Sequence, residues 1–340
     1  MPASFYTLTF SSLEHTCKIV ESEDFSMQQL PTHRYETFVK SFLLLFLLIT
    51  ASIETIVCHY LVYEAHAEHP RAMYAYQIAK IQHIGADDDI ETVFVGDSSL
   101  GHSLDARLFS TLTGSPSLNL ALTGLYGYAG SYNMVKEIAN THQVKNVVLV
   151  HSLDMMTRKV AYDGYLYSAN DLGDFTELTL ARQGKLLETA LNNLLLWENI
   201  RKSLAYYLGT QQPRPIVVIN DYPPQRPLSP HQTVQLPTRT SINPQKTLFL
   251  KKLVQYCEQH DINLIVIHGP VLAEAAQQFD LPALNATIEA TGAELLDTLL
   301  FIPPSQLGDQ IDHVHPTAKA TFTRRYADIL QPYLVPHADT

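Results

Sequence analysis

The sequence predicts a three-layer α/β/α domain on a central parallel sheet of about five strands, because short wholly apolar runs alternate with helically spaced segments. Three observations carry this. The runs Val93–Val95, Leu118–Leu122, Val144–Leu153, Asn263–His268 and Ala293–Leu296 have strand length and little apolar/polar alternation. A strand reads this way when both of its faces are covered. Helical patterns lie between the runs, as parallel crossovers require. Finally, the first run stops abruptly at Gly96-Asp97-Ser98, and the carboxyl ends of parallel strands are where such sheets place their chemistry.

Taken in order, residues Met1–Gln29 are polar and aperiodic, and residues 1–38 read as a cytoplasmic tail. Phe42–Ile53 is the strongest apolar run and continues past Glu54 to Tyr63. A bilayer needs roughly 20 residues of helix, so residues 39–63 are expected to form a single transmembrane anchor. Arg34 and Lys40 precede the run while Glu64 and Glu68 follow it. That asymmetry puts the N-terminus inside and the folded domain on the extracytoplasmic side of the cell membrane, periplasmic or outer. Two other readings stay open: Ala65-His66-Ala67 has the small-x-small form of a cleavage site, and Glu54 is compatible with a buried core helix. Residues 64–90 read as a linker, with a helix over Ala72–Ile84 and a turn at Ala86-Asp87-Asp88-Asp89.

The α/β domain is assigned to residues 91–335. Leu104–Leu112 and Tyr132–Ala139 have helical spacing. An insertion, residues 155–243, then interrupts the rhythm. Its Leu186, Leu187, Ala190, Leu191, Leu194, Leu195, Leu204 and Leu208 follow a helical period, and Gln211–Pro237 is too rich in proline for a central strand or helix. Leaving from the end of a central strand, the insertion suits either a cap over a ligand or a helical thickening of one face. Helices over Thr247–Gln259 and Leu284–Thr291 follow. A last helix from near Thr317 carries Phe322, Tyr326, Ile329, Leu330 and Tyr333 on one face.

The composition, 46% hydrophobic and 17% charged over 340 residues, is that of a globular protein. A net charge of -11 leaves no basic stripe for nucleic acid. Cys17, Cys58 and Cys257 lie far apart, with neither a disulfide framework nor zinc spacing. No cofactor is indicated.

Chemistry concentrates at two places. Ser98 follows a strand and precedes a helix, as a nucleophile lifted to a sheet rim does, although a serine there also serves as a helix N-cap. Far downstream, Asp312-His313-Val314-His315-Pro316 opens the last helix. An Asp and a His three apart in a turn can set an imidazole against the serine while the carboxylate holds the other ring nitrogen. Ser98, His315 and Asp312 are the expected nucleophile, base and orienter. Ser99 is the alternative nucleophile, and Asp309 with His313 the alternative acid–base pair. A metal set of Asp97, His102, Asp312 and His313 lacks a compact ligand spacing. Tyr126, Tyr128 and His268 lie near strand ends or the loop after Leu122 and are candidates to line a substrate pocket.

These blocks resemble the SGNH (GDSL-type) hydrolase superfamily over roughly residues 91–330. Gly96-Asp97-Ser98-Ser99 looks like its first block and Asp312-His313-Val314-His315-Pro316 like its last. Asn119-Leu120-Ala121-Leu122-Thr123-Gly124 resembles the second, which implies oxyanion donors at the Gly124 and Ser98 N–H groups. The third block departs: the family's Gly-x-Asn-Asp is replaced by His151-Ser152-Leu153-Asp154, leaving Ser152 or His151 to stand in as donor or substrate contact. Divergent, membrane-tethered members modify extracytoplasmic polysaccharides beside a membrane-bound acyltransferase. The resemblance therefore implies an acyl-ester hydrolase or O-acyltransferase with an acyl-ester donor and a carbohydrate acceptor. The alternative is a non-catalytic anchored subunit that binds glycan or an acyltransferase partner.

Overall fold

Runs of Val, Leu and Ile with no polar alternation can only be satisfied by burial on both faces, and this happens here. The computed structural model describes residues 32–56, 70–84, 89–159, 164, 183–185, 187–188, 222, 241–243 and 246–335. In it β1 (Thr92–Gly96), β2 (Ser117–Asn119), β3 (Asn146–His151), β4 (Asn263–His268) and β6 (Glu294–Leu296) form a five-stranded parallel sheet in the order β2-β1-β3-β4-β6. Every residue of β1 and β3 is buried. A small parallel pair, β5 (Val271–Leu272) with β7 (Phe301–Ile302), lies beyond the end of β4 in sequence.

Helices cover the sheet. α2 (Pro70–His83), α5 (Gly127–Ala139), α6 (Thr247–Gln259) and α8 (Leu281–Glu289) pack one against the next. A second group joins α3 (Ser98–Ser103), α4 (Ala106–Thr113) and α9 (Lys319–Leu330). Met134, Val135 and Ile138 of α5 are fully buried, as are Phe322, Tyr326 and Leu330 of α9. Phe109 of α4 meets Phe94 of β1 edge to face, 4.8 Å between centroids. The short α7 (Ala273–Ala276) follows β5.

The helix expected over Ala72–Ile84 is α2, and it does more than link. Its Lys80 Nζ donates to Asn119 O at 2.7 Å and its Gln77 Nε2 to Ala121 O at 2.6 Å. Edge strand β2 and the chain that leaves it are thereby held in place from the side. The helix expected over Leu104–Leu112 is α4, and a further short helix, α3, precedes it, because the Asp97 and Asp105 carboxylates each cap a helix start. Tyr333 falls in a 3-10 turn after α9 and is exposed, so it does not share the buried face of that helix.

α1 (Thr32–Ile56) lies chiefly in a unit of its own, Met1–Ile53, apart from Glu54–Thr340. Its side chains from Phe42 to Ile49 are exposed. Among the described residues no helix is long and apolar enough to cross a membrane. The start of the expected tail, the end of the expected anchor at 57–63 and most of the insertion lie outside the described residues.

At the end of β1 the sheet tolerates no side chain. A Cβ on Gly96 would stand 1.8 Å from Val150 O of the neighbouring strand. Gly96→Ala is expected to destabilise the domain by about 3 kcal/mol, since overpacked backbone cannot relax without breaking the β1–β3 ladder. Urea unfolding measures it, and an unchanged midpoint would contradict this packing.

Candidate active site

Chain order reverses between β1 and β3, so a crevice opens where their carboxyl ends diverge. One buried carboxylate, Asp97, ties these two ends together. Its Oδ1 accepts from Ser99 N (3.0 Å) and Ser99 Oγ (2.6 Å), and its Oδ2 from Ser152 N (3.0 Å) and Ser152 Oγ (2.7 Å). His151 Nδ1 stands 3.4 Å from Oδ2, at ion-pair range but without hydrogen-bond geometry. Burial alone would raise the Asp97 pKa. His151, the charge of Arg158 and the Ser99 bond outweigh it and hold the carboxyl well below the usual range. Ser98 is the first residue of α3, next to this anchor, and is half-buried.

A loop 215 positions later closes on Ser98: His313 Nε2 lies 2.9 Å from Ser98 Oγ. The other ring nitrogen, Nδ1, lies 2.7 Å from Asp309 Oδ1. Serine, imidazole and carboxylate thus stand in hydrogen-bonded series, the geometry of an activated nucleophile. Local backbone bonds set this register. Leu307 bridges Val314, Gly308 N donates to His313 O at 2.7 Å, and Leu272 N donates to Ile311 O at 2.7 Å. α9 then fastens the loop to the serine side, with Tyr326 OH 3.3 Å from Ser103 Oγ and Thr323 Oγ1 accepting from Asp105 N at 2.9 Å.

Charge in the site is arranged to keep His313 basic. Burial lowers its pKa, but the bond to Asp309 and the charges of Asp312, Asp309 and Asp97 raise it above the ordinary value. The His313 bond in turn lowers Asp309, against its partial burial. Asp312 is different. Buried, it is pushed up to about 6, with Asp97 and Asp154 raising it further and His313 and Arg158 opposing. Its Oδ1 is 3.9 Å from His313 Nε2, and its Oδ2 is 3.9 Å from Arg158 Nη2.

The sequence expectations are partly redistributed. Ser98 is at the centre. His315 is not brought to it: its Nδ1 accepts from Thr317 N and pairs with Thr317 Oγ1 at 2.8 Å, capping the turn Pro316–Ala318. Asp312 faces the serine side of the His313 ring, and Asp309 takes the orienting position. Ser152 cannot serve as an oxyanion donor, because its N–H goes to Asp97 and its hydroxyl lies between Asp97 and Asp154 Oδ1 (2.8 Å). His151 is buried behind the site, its Nε2 3.0 Å from Ser131 Oγ and its ring over Tyr128 at 4.6 Å. Tyr126 is buried and stacks on Tyr74. His268 pairs with Asn285 Oδ1 at 2.8 Å, and burial lowers its pKa. None of these three lines an open face beside Ser98. Gly124 is half-buried on the loop after β2, with Arg158 above it. Among the described residues no group of three or more His, Cys, Asp and Glu side chains could hold a metal ion.

Residues that sequence reading passed over also reach the site. Arg158 is clamped side-on by Asp154, Nε to Oδ2 and Nη2 to Oδ1 at 2.8 Å each. Tyr222, from the proline-rich stretch, is buried, donates to Leu122 O at 3.2 Å and sits edge-on to His102, whose ring lies 4.2 Å from that of His313. Lys246 is depressed to about 8 by burial and by Arg158, with Asp154 opposing.

The sequence matches no family model and no curated protein. Among solved structures, an acetyl xylan esterase (Est2A) from the rumen bacterium Butyrivibrio proteoclasticus aligns over 72% of this chain and 64% of its own, at 9% identity and a TM-score of 0.30. The chain therefore spans less than two thirds of the length of that protein.

Asp312 supplies a test of these electrostatics. A carboxyl with a raised folded pKa stabilises the protein only below its unfolded value, and that stability is lost as pH rises towards the folded value. From the ordinary 3.8 to about 6, ionising Asp312 costs the native state about 3 kcal/mol. Asp312→Asn is therefore expected to gain stability progressively between about pH 4 and pH 6, with the gain constant above. Thermal unfolding across this range measures it, and a pH-independent difference would contradict the assignment.

Proposed function

We propose that the domain is a serine-dependent acyl-ester hydrolase or O-acyltransferase working through an acyl-serine intermediate. The single observation that carries this is the series Ser98 Oγ, His313 Nε2, His313 Nδ1, Asp309 Oδ1, with links of 2.9 and 2.7 Å. In this reading His313 takes the Ser98 proton as the oxygen attacks an ester carbonyl. The tetrahedral oxyanion rests on the backbone N–H groups of Ser98 and Gly124. His313 then passes its proton to the leaving alcohol. Water or a second hydroxyl, deprotonated by His313, attacks the acyl-serine and restores the free enzyme.

Transfer onto an extracytoplasmic glycan is the narrower proposal. It rests on the resemblance of the first, second and last sequence blocks, and on the apolar run Phe42–Tyr63 as an anchor that keeps the domain at a membrane beside an acyltransferase partner. One observation favours the non-catalytic alternative: Ser152, at the third block, is wholly committed to Asp97 and Asp154. A site lacking one oxyanion donor of this kind loses on the order of a hundredfold in rate.

A fluorophosphonate ester is expected to modify Ser98 in the full chain and to leave Ser98→Ala unmodified, read by intact mass. Only neutral His313 accepts the serine proton, and its pKa is raised. The labelling rate should therefore climb with pH through a titration lying above about 6.5. Wild-type protein that never labels would defeat the enzymatic reading.

A further inference from the structure

Arg158 occupies a position that strand order makes informative. β1 lies between β2 and β3. Gly124 follows β2, Arg158 follows β3, and Ser98 follows β1. Yet a Cβ on Gly124 would stand only 1.9 Å from Arg158 Nη1. The chain after β2 stays against β1, with Leu120 N donating to Phe94 O and Leu122 N to Gly96 O. The loops that follow β2 and β3 therefore meet at this guanidinium beside the end of β1, which carries the Asp97-Ser98 turn. Its charge is felt by Asp97, and Asp312 Oδ2, 3.9 Å from Nη2, joins it to the rim of the serine site.

The guanidinium is also held before any substrate arrives. Asp154 grips Nε and Nη2, Ser152 Oγ lies 2.8 Å from the same carboxylate, and Asn243 Nδ2 donates to Arg158 O at 3.3 Å. That fork leaves Nη1 with both hydrogens directed away from Asp154. Among the described residues Nη1 makes no hydrogen bond or ion pair. A rigid cationic donor lies beside the Gly124 backbone, in a loop whose third-block residue has no donor left to offer. Preorganised donors aimed at developing negative charge stabilise a transition state without reorganising during the reaction.

Building on the serine reading, we propose that Arg158 Nη1 is the third oxyanion donor, completing with the Ser98 and Gly124 N–H groups a hole in which one donor is a guanidinium. It acts as the carbonyl oxygen becomes an alkoxide and releases it when the carbonyl re-forms. Such a donor is worth more to the tetrahedral state than to the neutral ester, so its loss falls on kcat. The approach over Gly124 is close enough that a Cβ at 124 would have to displace Nη1.

The test uses the full chain with p-nitrophenyl acetate turnover and with fluorophosphonate labelling of Ser98. Arg158→Gln is expected to lower kcat and the labelling rate by about a hundredfold while KM stays within about twofold. Arg158→Lys, which keeps the charge but loses the fork, should fall between. In Arg158→Ala, added guanidinium at millimolar concentration should restore part of the turnover, a response that a merely structural arginine would not give. Should Arg158→Gln fold poorly, the lysine variant and the rescue still decide. Wild-type turnover and labelling with unimpaired Arg158→Gln, or rescue-insensitive Arg158→Ala, would overturn the arginine assignment and leave the serine reading intact. Wild-type protein that neither turns over nor labels would overturn both.

Discussion

Everything at the rim of this sheet is organised by the buried carboxylate of Asp97. Two parallel strands that diverge at a switch point have no reason to hold their exit turns at a fixed separation. Asp97 supplies one, with one oxygen accepting from both the N–H and the hydroxyl of Ser99 and the other from those of Ser152. A buried carboxylate is costly unless its acceptor sites are filled, and four donors with a nearby imidazole fill them. The arrangement starts α3 at Ser98, fixes that residue in direction and leaves it half-exposed. It also fixes Ser152, whose N–H and hydroxyl are turned to Asp97 and are unavailable to substrate.

The second constraint is the loop from Leu307 to Val314. Because Gly308 N–H closes on His313 O and Leu307 bridges Val314, the side chains of Asp309 and His313 face one another across a short turn. The histidine that meets Ser98 is thus the one at position 313. His315 begins the next element and caps it. Asp312, whose pKa burial raises, sits between His313 and Arg158 and shares its field with both.

Much of the fold was legible in the sequence, for a physical reason. Wholly apolar runs such as Val147–Val150 and Ile265–Ile267 have one stable home, the middle of a covered parallel sheet, and they are found there. The Gly96-Asp97-Ser98 turn was legible because a strand that ends abruptly in a tight turn leaves a distinct mark. The choice between His313 and His315 was not. Asp309–His313 and Asp312–His315 are both short-range pairs, and what separates them is how the loop closes on itself and docks, through Gly308 N to His313 O and the long-range bond Leu272 N to Ile311 O, which no local pattern encodes. Arg158 was hidden for the same reason: its significance comes from meeting the loop that follows β2, which only the strand order reveals. Tyr222 lies in a proline-rich stretch with no periodic signal, yet it packs against the neighbour of His313.

The central claim is that the base acting on Ser98 is His313. The direct measurement is the second-order rate of Ser98 phosphonylation in His313→Ala and in His315→Ala, each checked for folding by circular dichroism. The account predicts that His313→Ala loses on the order of a thousandfold or more, as removal of a general base does, while His315→Ala stays close to wild type. A large loss in His315→Ala with His313→Ala near normal would contradict it.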